Sequence, residues 1–142
     1  MKFKFLSFLV IVLLVSAASQ RPVRVFMAGD STMADKVYSK NVQDSLTGEL
    51  SPEVFLERGW GQVLPEFFTD EVVVRNFAKN GRSTKTFISE GWWSEIISEV
   101  QPGDFVVIQF GHNDGAIEKK ERYTTPDEYR QNLIRFVEEV RT

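Results

Sequence analysis

Three short polar segments carry the side chains of this sequence that could do chemistry: Gly29-Asp30-Ser31-Thr32, Asn80-Gly81-Arg82-Ser83 and Gly111-His112-Asn113-Asp114. A serine two residues past a glycine, on a tight turn where a strand ends, presents its hydroxyl outward as a nucleophile. The helix expected to follow such a turn aims N–H groups, that of Ser31 included, at an oxyanion formed on an attacked carbonyl. Gly81 permits close approach of its backbone to a ligand and offers a second N–H donor. Asn113 offers an amide donor that does not titrate. The chemistry these groups suit together is acyl transfer. Taken singly, each segment has a plainer reading: a helix cap at Asp30 or Ser31, a loop glycine at Gly81, and an Asn-Asp-Gly turn over 113–115.

For these segments to act together, the elements before them must end at one place. Short apolar runs alternate with longer mixed segments from Arg21 onward, the pattern of β-α-β units and a parallel sheet. Strands are expected over 23–27, 72–77 and 105–110, and each of the three polar segments follows one of them closely. In a doubly wound sheet the carboxyl ends of the strands open onto one crevice, where ligands bind. Helices are expected over 60–68, with Pro65 disturbing the first, and over 92–100. Thr125-Pro126-Asp127-Glu128 is a capping box with proline at the first helical position, followed by Tyr129, Leu133, Phe136, Val137 and Val140 at helical spacing. Residues 35–57, with Gly48 and Pro52 among polar positions, read as a long excursion without regular structure. The strand at 105–110 would be an exposed apolar edge in the order of doubly wound folds, because the helix that follows it ends the sequence.

Composition sets the outer limits. The 142 residues suit one domain, and 42% apolar with 26% charged residues suits a globular core. The net charge of −3 gives no electrostatic case for nucleic acid. With no cysteine, disulfide scaffolds, thiol catalysis and cysteine-bound zinc are excluded, and a single histidine argues against a histidine-built metal site. Lys2 and Lys4, the uncharged run Phe5 to Val15 and the small residues at 16–19 have the order of a secretory signal. The run is shorter than the roughly 20 residues of a spanning helix, so the expectation is an exported protein, periplasmic or extracellular, with no membrane segment in its mature form. Removing residues 1–19 takes away two lysines and no acids, leaving 15 bases against 20 acids.

Read together, Gly29-Asp30-Ser31, then Asn76 to Gly81, then Gly111 to Asp114 resemble the first three sequence blocks of the GDSL or SGNH hydrolases. The longer strings at 28–34, 59–61, 80–83 and 109–114 resemble the rhamnogalacturonan acetylesterase branch, which removes acetyl groups from pectin. The resemblance covers essentially all of the chain after the leader. It implies a flavodoxin-like, three-layer α/β/α fold with a doubly wound parallel sheet, and hydrolysis of an acetylated pectic polysaccharide through an acetyl-serine. It further implies Ser31 as nucleophile and first oxyanion donor, Gly81 as second donor through its N–H, and Asn113 as third through its side chain. No metal or other cofactor is implied. Asp30, Thr32, Arg82 and His112 are candidate substrate-binding residues, Arg82 as a fork for a galacturonate carboxylate and Asp30 also as a residue that orients the turn. Trp60, Trp92 and Trp93 have two readings, sugar stacking or core. The mixed run Glu118 to Arg122 reads as a solvated face.

One feature of the family is missing. Its general base is a histidine preceded three residues earlier by an aspartate, near the carboxyl end of a longer chain. Here the only histidine is His112, and position 109 is Gln109. The expectation is therefore a leader at 1–19 and, at 20–142, the amino-terminal part of an SGNH domain, truncated after the third strand and its helix and poorly active alone. The alternatives are an esterase or lipase acting on another ester, and a non-catalytic carbohydrate-binding remnant. The basic Lys79, Arg82 and Lys85 around Gly81 favour an anionic or sugar substrate over a lipid.

Overall fold

The computed structural model describes residues 21–36, 38–55 and 57–141; the expected leader lies outside them. Its frame is a three-stranded parallel sheet in which the first strand is central. Strand β1 (Val23–Gly29) pairs on one side with β4 (Val72–Asn76) and on the other with β5 (Phe105–Gln109), the second-first-third order of an open, doubly wound sheet. All three strands lie within two residues of their expected limits.

The periodicity of β1 sorts its side chains between two layers. Phe26 and Ala28 point to one face, where they meet Phe77, Phe87, Trp93, Ile96 and Phe136. That layer is built by α2 (Thr84–Ser89), α3 (Trp92–Glu99) and α4 (Pro126–Arg141). Its centre is aromatic: Trp93 lies 4.2 Å from Phe136 between ring centroids, and Phe110 touches both Phe136 and Phe87. Val25 and Met27 point to the other face and pack with Met33, Ala34, Ala78 and Leu64. The short α1 (Trp60–Val63) and a 3₁₀ turn (Leu64–Phe67) belong to that second side. The result is the expected α/β/α architecture. At the edge of the sheet β5 pairs, among the described residues, only with β1, and Phe105 at its start is 62% exposed.

Three expectations are corrected. Residues 35–57 do hold regular structure, an antiparallel hairpin of β2 (Tyr38–Gln43) and β3 (Leu50–Phe55). The Asp44 carboxylate accepts the N–H groups of Leu46 and Thr47 to form its turn, with Gly48 at φ +70°. Pro52 is tolerated because a two-stranded ribbon consists only of edges. The helix expected at 60–68 breaks at Pro65 into α1 and the 3₁₀ turn. No helix follows Ser31; Met33 and Ala34 donate to the Asp30 carbonyl, closing a single turn.

Helix α2 was not expected. Its cap is reciprocal, since the Ser83 hydroxyl accepts from Thr86 N–H and the Thr86 hydroxyl from Ser83 N–H, but threonine stands where the usual signal has Glu or Gln. The capping box of α4 forms as read: Thr125 donates to the Glu128 carboxylate by its N–H and hydroxyl, at 2.7 and 2.9 Å. Those bonds hold Glu128 below the usual carboxylate range. Among the described residues no helix is long and apolar enough to cross a membrane.

Candidate active site

The parallel register brings the three polar segments to one end of the sheet. Gly29 is level with Gln109 across β1 and β5, Met27 is level with Asn76 across β1 and β4, and Lys79 N–H donates to the Gly29 carbonyl at 3.0 Å. Ser31, Gly81 and Asn113 thus follow neighbouring strand ends.

The Ser31 turn is shaped from beneath and braced from the side. Asp30 is buried, and one carboxylate oxygen accepts both the N–H and the hydroxyl of Thr32, at 2.9 and 2.8 Å. These bonds orient the turn from beneath. Trp60 and Gly61 then donate their N–H groups to the carbonyls of Thr32 and Met33. A Cβ on Gly61 would stand 2.5 Å from the Met33 oxygen, and one on Gly59 2.1 Å from that of Ala34, which explains the glycine on each side of Trp60. Ser31 itself is half-buried, and no partner of its hydroxyl occurs among the described residues.

A directional chain of bonds extends this turn to the rim. Trp60 Nε1 donates to Gln109 Oε1 at 2.7 Å, Gln109 Nε2 donates to the Thr32 hydroxyl, and that hydroxyl donates to Asp30. Because an indole N–H can only donate, Gln109 has one possible orientation. Trp60 is 40% exposed there, whereas Trp93 is fully buried and Trp92 is half-buried under the Lys79 ammonium, 4.2 Å from its ring centroid. Of the three tryptophans, only Trp60 stands exposed beside the Ser31 turn.

The other two segments are joined by side chains. Asn113 is buried, and its Nδ2 donates to the Arg82 carbonyl at 2.9 Å. Its Oδ1 accepts from Arg122 Nη1 at 2.9 Å, and the same nitrogen donates to the Gly81 carbonyl at 3.1 Å. Gly81 has φ +75°, and a Cβ there would lie 3.1 Å from Arg122 Nη1, so position 81 favours glycine on both conformation and space. Arg122 therefore does not belong to a solvated face; its side chain is only 20% exposed and turns in under the loop. Nothing in the mixed-charge run 118–122 distinguishes it from its neighbours.

Asp114 does more than close the turn over 113–115. It is buried, accepts the N–H and hydroxyl of Thr84 and the hydroxyl of Thr124, and so ties the third segment to the first turn of α2. Asn132 on α4 completes the cluster by donating to the Thr84 hydroxyl. Among the remaining candidates, Thr32 and His112 are exposed. Arg82 is not a free fork: Nε donates to Glu90 at 2.9 Å and Nη1 to the Asn80 carbonyl at 2.8 Å. Hydrogen bonds from Arg82 and Trp92 hold Glu90 below the usual carboxylate range.

An open α/β/α sheet with a serine turn after its first strand, and a loop glycine and a buried asparagine after its second and third, defines a class of hydrolase-like folds. The sequence profile of the family described as GDSL-like Lipase/Acylhydrolase matches residues 25–142, and the chain belongs to that family. Its relatives include the rhamnogalacturonan acetylesterase RhgT of Bacillus subtilis, 37% identical over 86% of this chain and 45% of that protein. Another is the probable rhamnogalacturonan acetylesterase YesY of the same organism, 35% identical over 80% of this chain and 46% of its own length. The crystal structure of the Bacillus subtilis protein YxiM aligns with a TM-score of 0.65 at 25% identity, over 84% of this chain and 30% of that one. The chain spans about half the length of the first two relatives.

Proposed function

We propose that this chain carries the nucleophile and oxyanion hole of a serine ester hydrolase that removes acetyl groups from a pectic polysaccharide. In this reading Ser31 Oγ attacks the acetyl carbonyl carbon and its proton passes to a base. The carbonyl electrons move to an oxyanion facing the N–H groups of Ser31 and Gly81 and Asn113 Nδ2. Collapse expels the sugar oxygen, which takes up a proton, and leaves acetyl-Ser31; water then releases acetate and restores the serine. The observation that carries the reading is the frame that fixes Gly81 and Asn113 to each other beside the Ser31 turn. Of the two hydrogens on Asn113 Nδ2, the Arg82 carbonyl engages one and leaves the second for a ligand. The likeness to the rhamnogalacturonan acetylesterase RhgT and the probable rhamnogalacturonan acetylesterase YesY supports acetylated rhamnogalacturonan as the substrate, and the exposed Trp60 gives a sugar ring a surface to lie on.

The base and its orienting acid belong, in this proposal, to a segment outside these 142 residues, since no Asp-x-x-His occurs within them. Residues 1–19 act as the secretory signal, and the protein works in the periplasm or outside the cell. The test is acetate release from acetylated rhamnogalacturonan by three proteins: the 142-residue chain, a carboxyl-extended version, and Ser31→Ala in the extended version. The extended protein should be faster by orders of magnitude, and Ser31→Ala should be inactive. Equal turnover by the chain and its extension would overturn the placement of the base. Saccharide binding that survives Ser31→Ala, with no hydrolysis by any of the three, would mark a binding module instead.

A further inference from the structure

Arg82 and Arg122 do the same thing to two different amides. Arg122 Nη1 donates to Asn113 Oδ1, the oxygen of the carboxamide whose Nδ2 keeps a second hydrogen beyond its bond to the Arg82 carbonyl. Arg82 Nη1 donates to the Asn80 carbonyl, the oxygen of the peptide whose nitrogen is that of Gly81. That peptide is trans, so its N–H points away from the guanidinium. We propose that Arg82 and Arg122 are positioning residues that cap the oxygens of the two oxyanion-donor amides, holding each N–H toward the crevice and making it a stronger donor. This rests on the reading of Ser31, Gly81 and Asn113 as an esterase site.

The physical basis is resonance and field. A cation bonded to an amide oxygen draws electron density through the C–N bond and leaves the N–H hydrogens more positive, the cooperative strengthening seen in hydrogen-bonded chains. Arg122, with its nearest carboxylate 3.6 Å away and exposed, also sets positive charge behind the hole, whereas Glu90 offsets that of Arg82, and the geometry is fixed before the reaction begins. Orientation follows as well. A guanidinium has no acceptor, so the Asn113 oxygen must face Arg122 and its nitrogen the Arg82 carbonyl. Each arginine is held in turn: Arg82 by Glu90, which also accepts from Trp92, and Arg122 by its second bond to the Gly81 carbonyl. The two side chains share a cleft of about 380 Å³ with Gly81 and Glu90, so a small cation can reach them.

The test uses the 142-residue chain with 4-nitrophenyl acetate as the probe, following nitrophenolate release and the acetyl mass gain on Ser31. A residual rate without a base is carried by the oxyanion hole and is therefore sensitive to it. Arg82→Ala and Arg122→Ala should each lower the acylation rate constant about tenfold with KM within about twofold. Millimolar guanidinium should restore part of that rate, and Arg135→Ala, on the outer face of α4, should leave it unchanged. Rates within twofold of wild type, a loss confined to KM, or no restoration by guanidinium would overturn the assignment.

A second measurement needs no turnover. In ¹H–¹⁵N spectra the Asn113 Nδ2 signals should move upfield in Arg122→Ala and the Gly81 N–H signal in Arg82→Ala, each returning toward wild type with guanidinium. Signals that stay in place would overturn the assignment whatever the ester assay shows. Equal reaction of wild type and Ser31→Ala would instead overturn the esterase reading.

Discussion

The two ends of the parallel sheet each hold a pair of arginines, and the pairs are used in opposite ways. At the amino ends of the strands Arg21 and Arg24 close on one carboxylate. Arg24 grips Asp104 with two nitrogens, the nearer at 2.6 Å, Arg21 reaches it at 2.6 Å, and Gln101 N–H adds a third kind of donor. Burial alone would raise the Asp104 pKa, but these partners outweigh it and hold the group far below the usual range. At the carboxyl ends Arg82 and Arg122 bond to neutral amide oxygens, and only Arg82 has a close carboxylate, at 2.9 Å; Glu121 lies 3.6 Å from Arg122 and is 70% exposed. One end uses its positive charge up inside the fold. The other turns its guanidinium groups onto the amide oxygens of Asn80, Gly81 and Asn113.

The comparison can be broken at several points. Asp104→Asn should destabilise the fold by about 2 kcal/mol, because it takes the charged acceptor from two partly exposed guanidinium groups, and should leave the Ser31 acylation rate unchanged; chemical denaturation beside the ester assay checks both. The same pair of proteins gives the pH dependence. With its folded pKa depressed, Asp104 contributes stability fully above its ordinary pKa of 3.8 and loses that contribution as pH falls through the lower folded value. The stability gap between wild type and Asp104→Asn should therefore be constant near neutrality and narrow below about pH 4. At the other end, Asn113→Ala should lower acylation about a hundredfold through loss of one donor, an effect on rate more than on KM.

Smaller effects sharpen the same contrast. Gly81→Ala should lower stability by roughly 1–2 kcal/mol from its left-handed backbone and crowding of Arg122, and should slow acylation as well. Thr125→Ala removes the cap of α4, a helix whose Tyr129 hydroxyl bonds the Phe110 carbonyl beyond β5. It should lower the melting temperature by an amount equivalent to about 1 kcal/mol, with acylation unaffected.

What the sequence made legible follows from the range of the forces involved. Strands at 23–27, 72–77 and 105–110 are read from local apolar runs, and the capping box at 125–128 from four adjacent residues. Both patterns are complete within a few positions. The hairpin over 38–55 is hidden because its few apolar residues are scattered among polar ones and Pro52 interrupts the second strand, and α2 because its cap uses Thr86 in place of an acid. The site divides in the same way. Ser31, Gly81 and Asn113 stand out because their type and their place after a strand coincide. Arg122 does not, since its partners lie 41 and 9 residues away and its neighbours Lys119, Lys120 and Glu121 give the run a surface composition. Arg82 was noticed for its charge, but its bonds to Glu90 and Asn80 turn it from the substrate to the backbone.

The central claim is that Ser31 is a nucleophile facing a built oxyanion hole. The most direct measurement is peptide mass mapping of the chain after exposure to 4-nitrophenyl acetate, with the adduct located by sequence and compared with Ser31→Ala. The account predicts an acetyl group on Ser31, slower to form when Arg122 is truncated and absent when Ser31 is replaced. Acetylation spread over surface lysines alone, equal in wild type and Ser31→Ala, would contradict it.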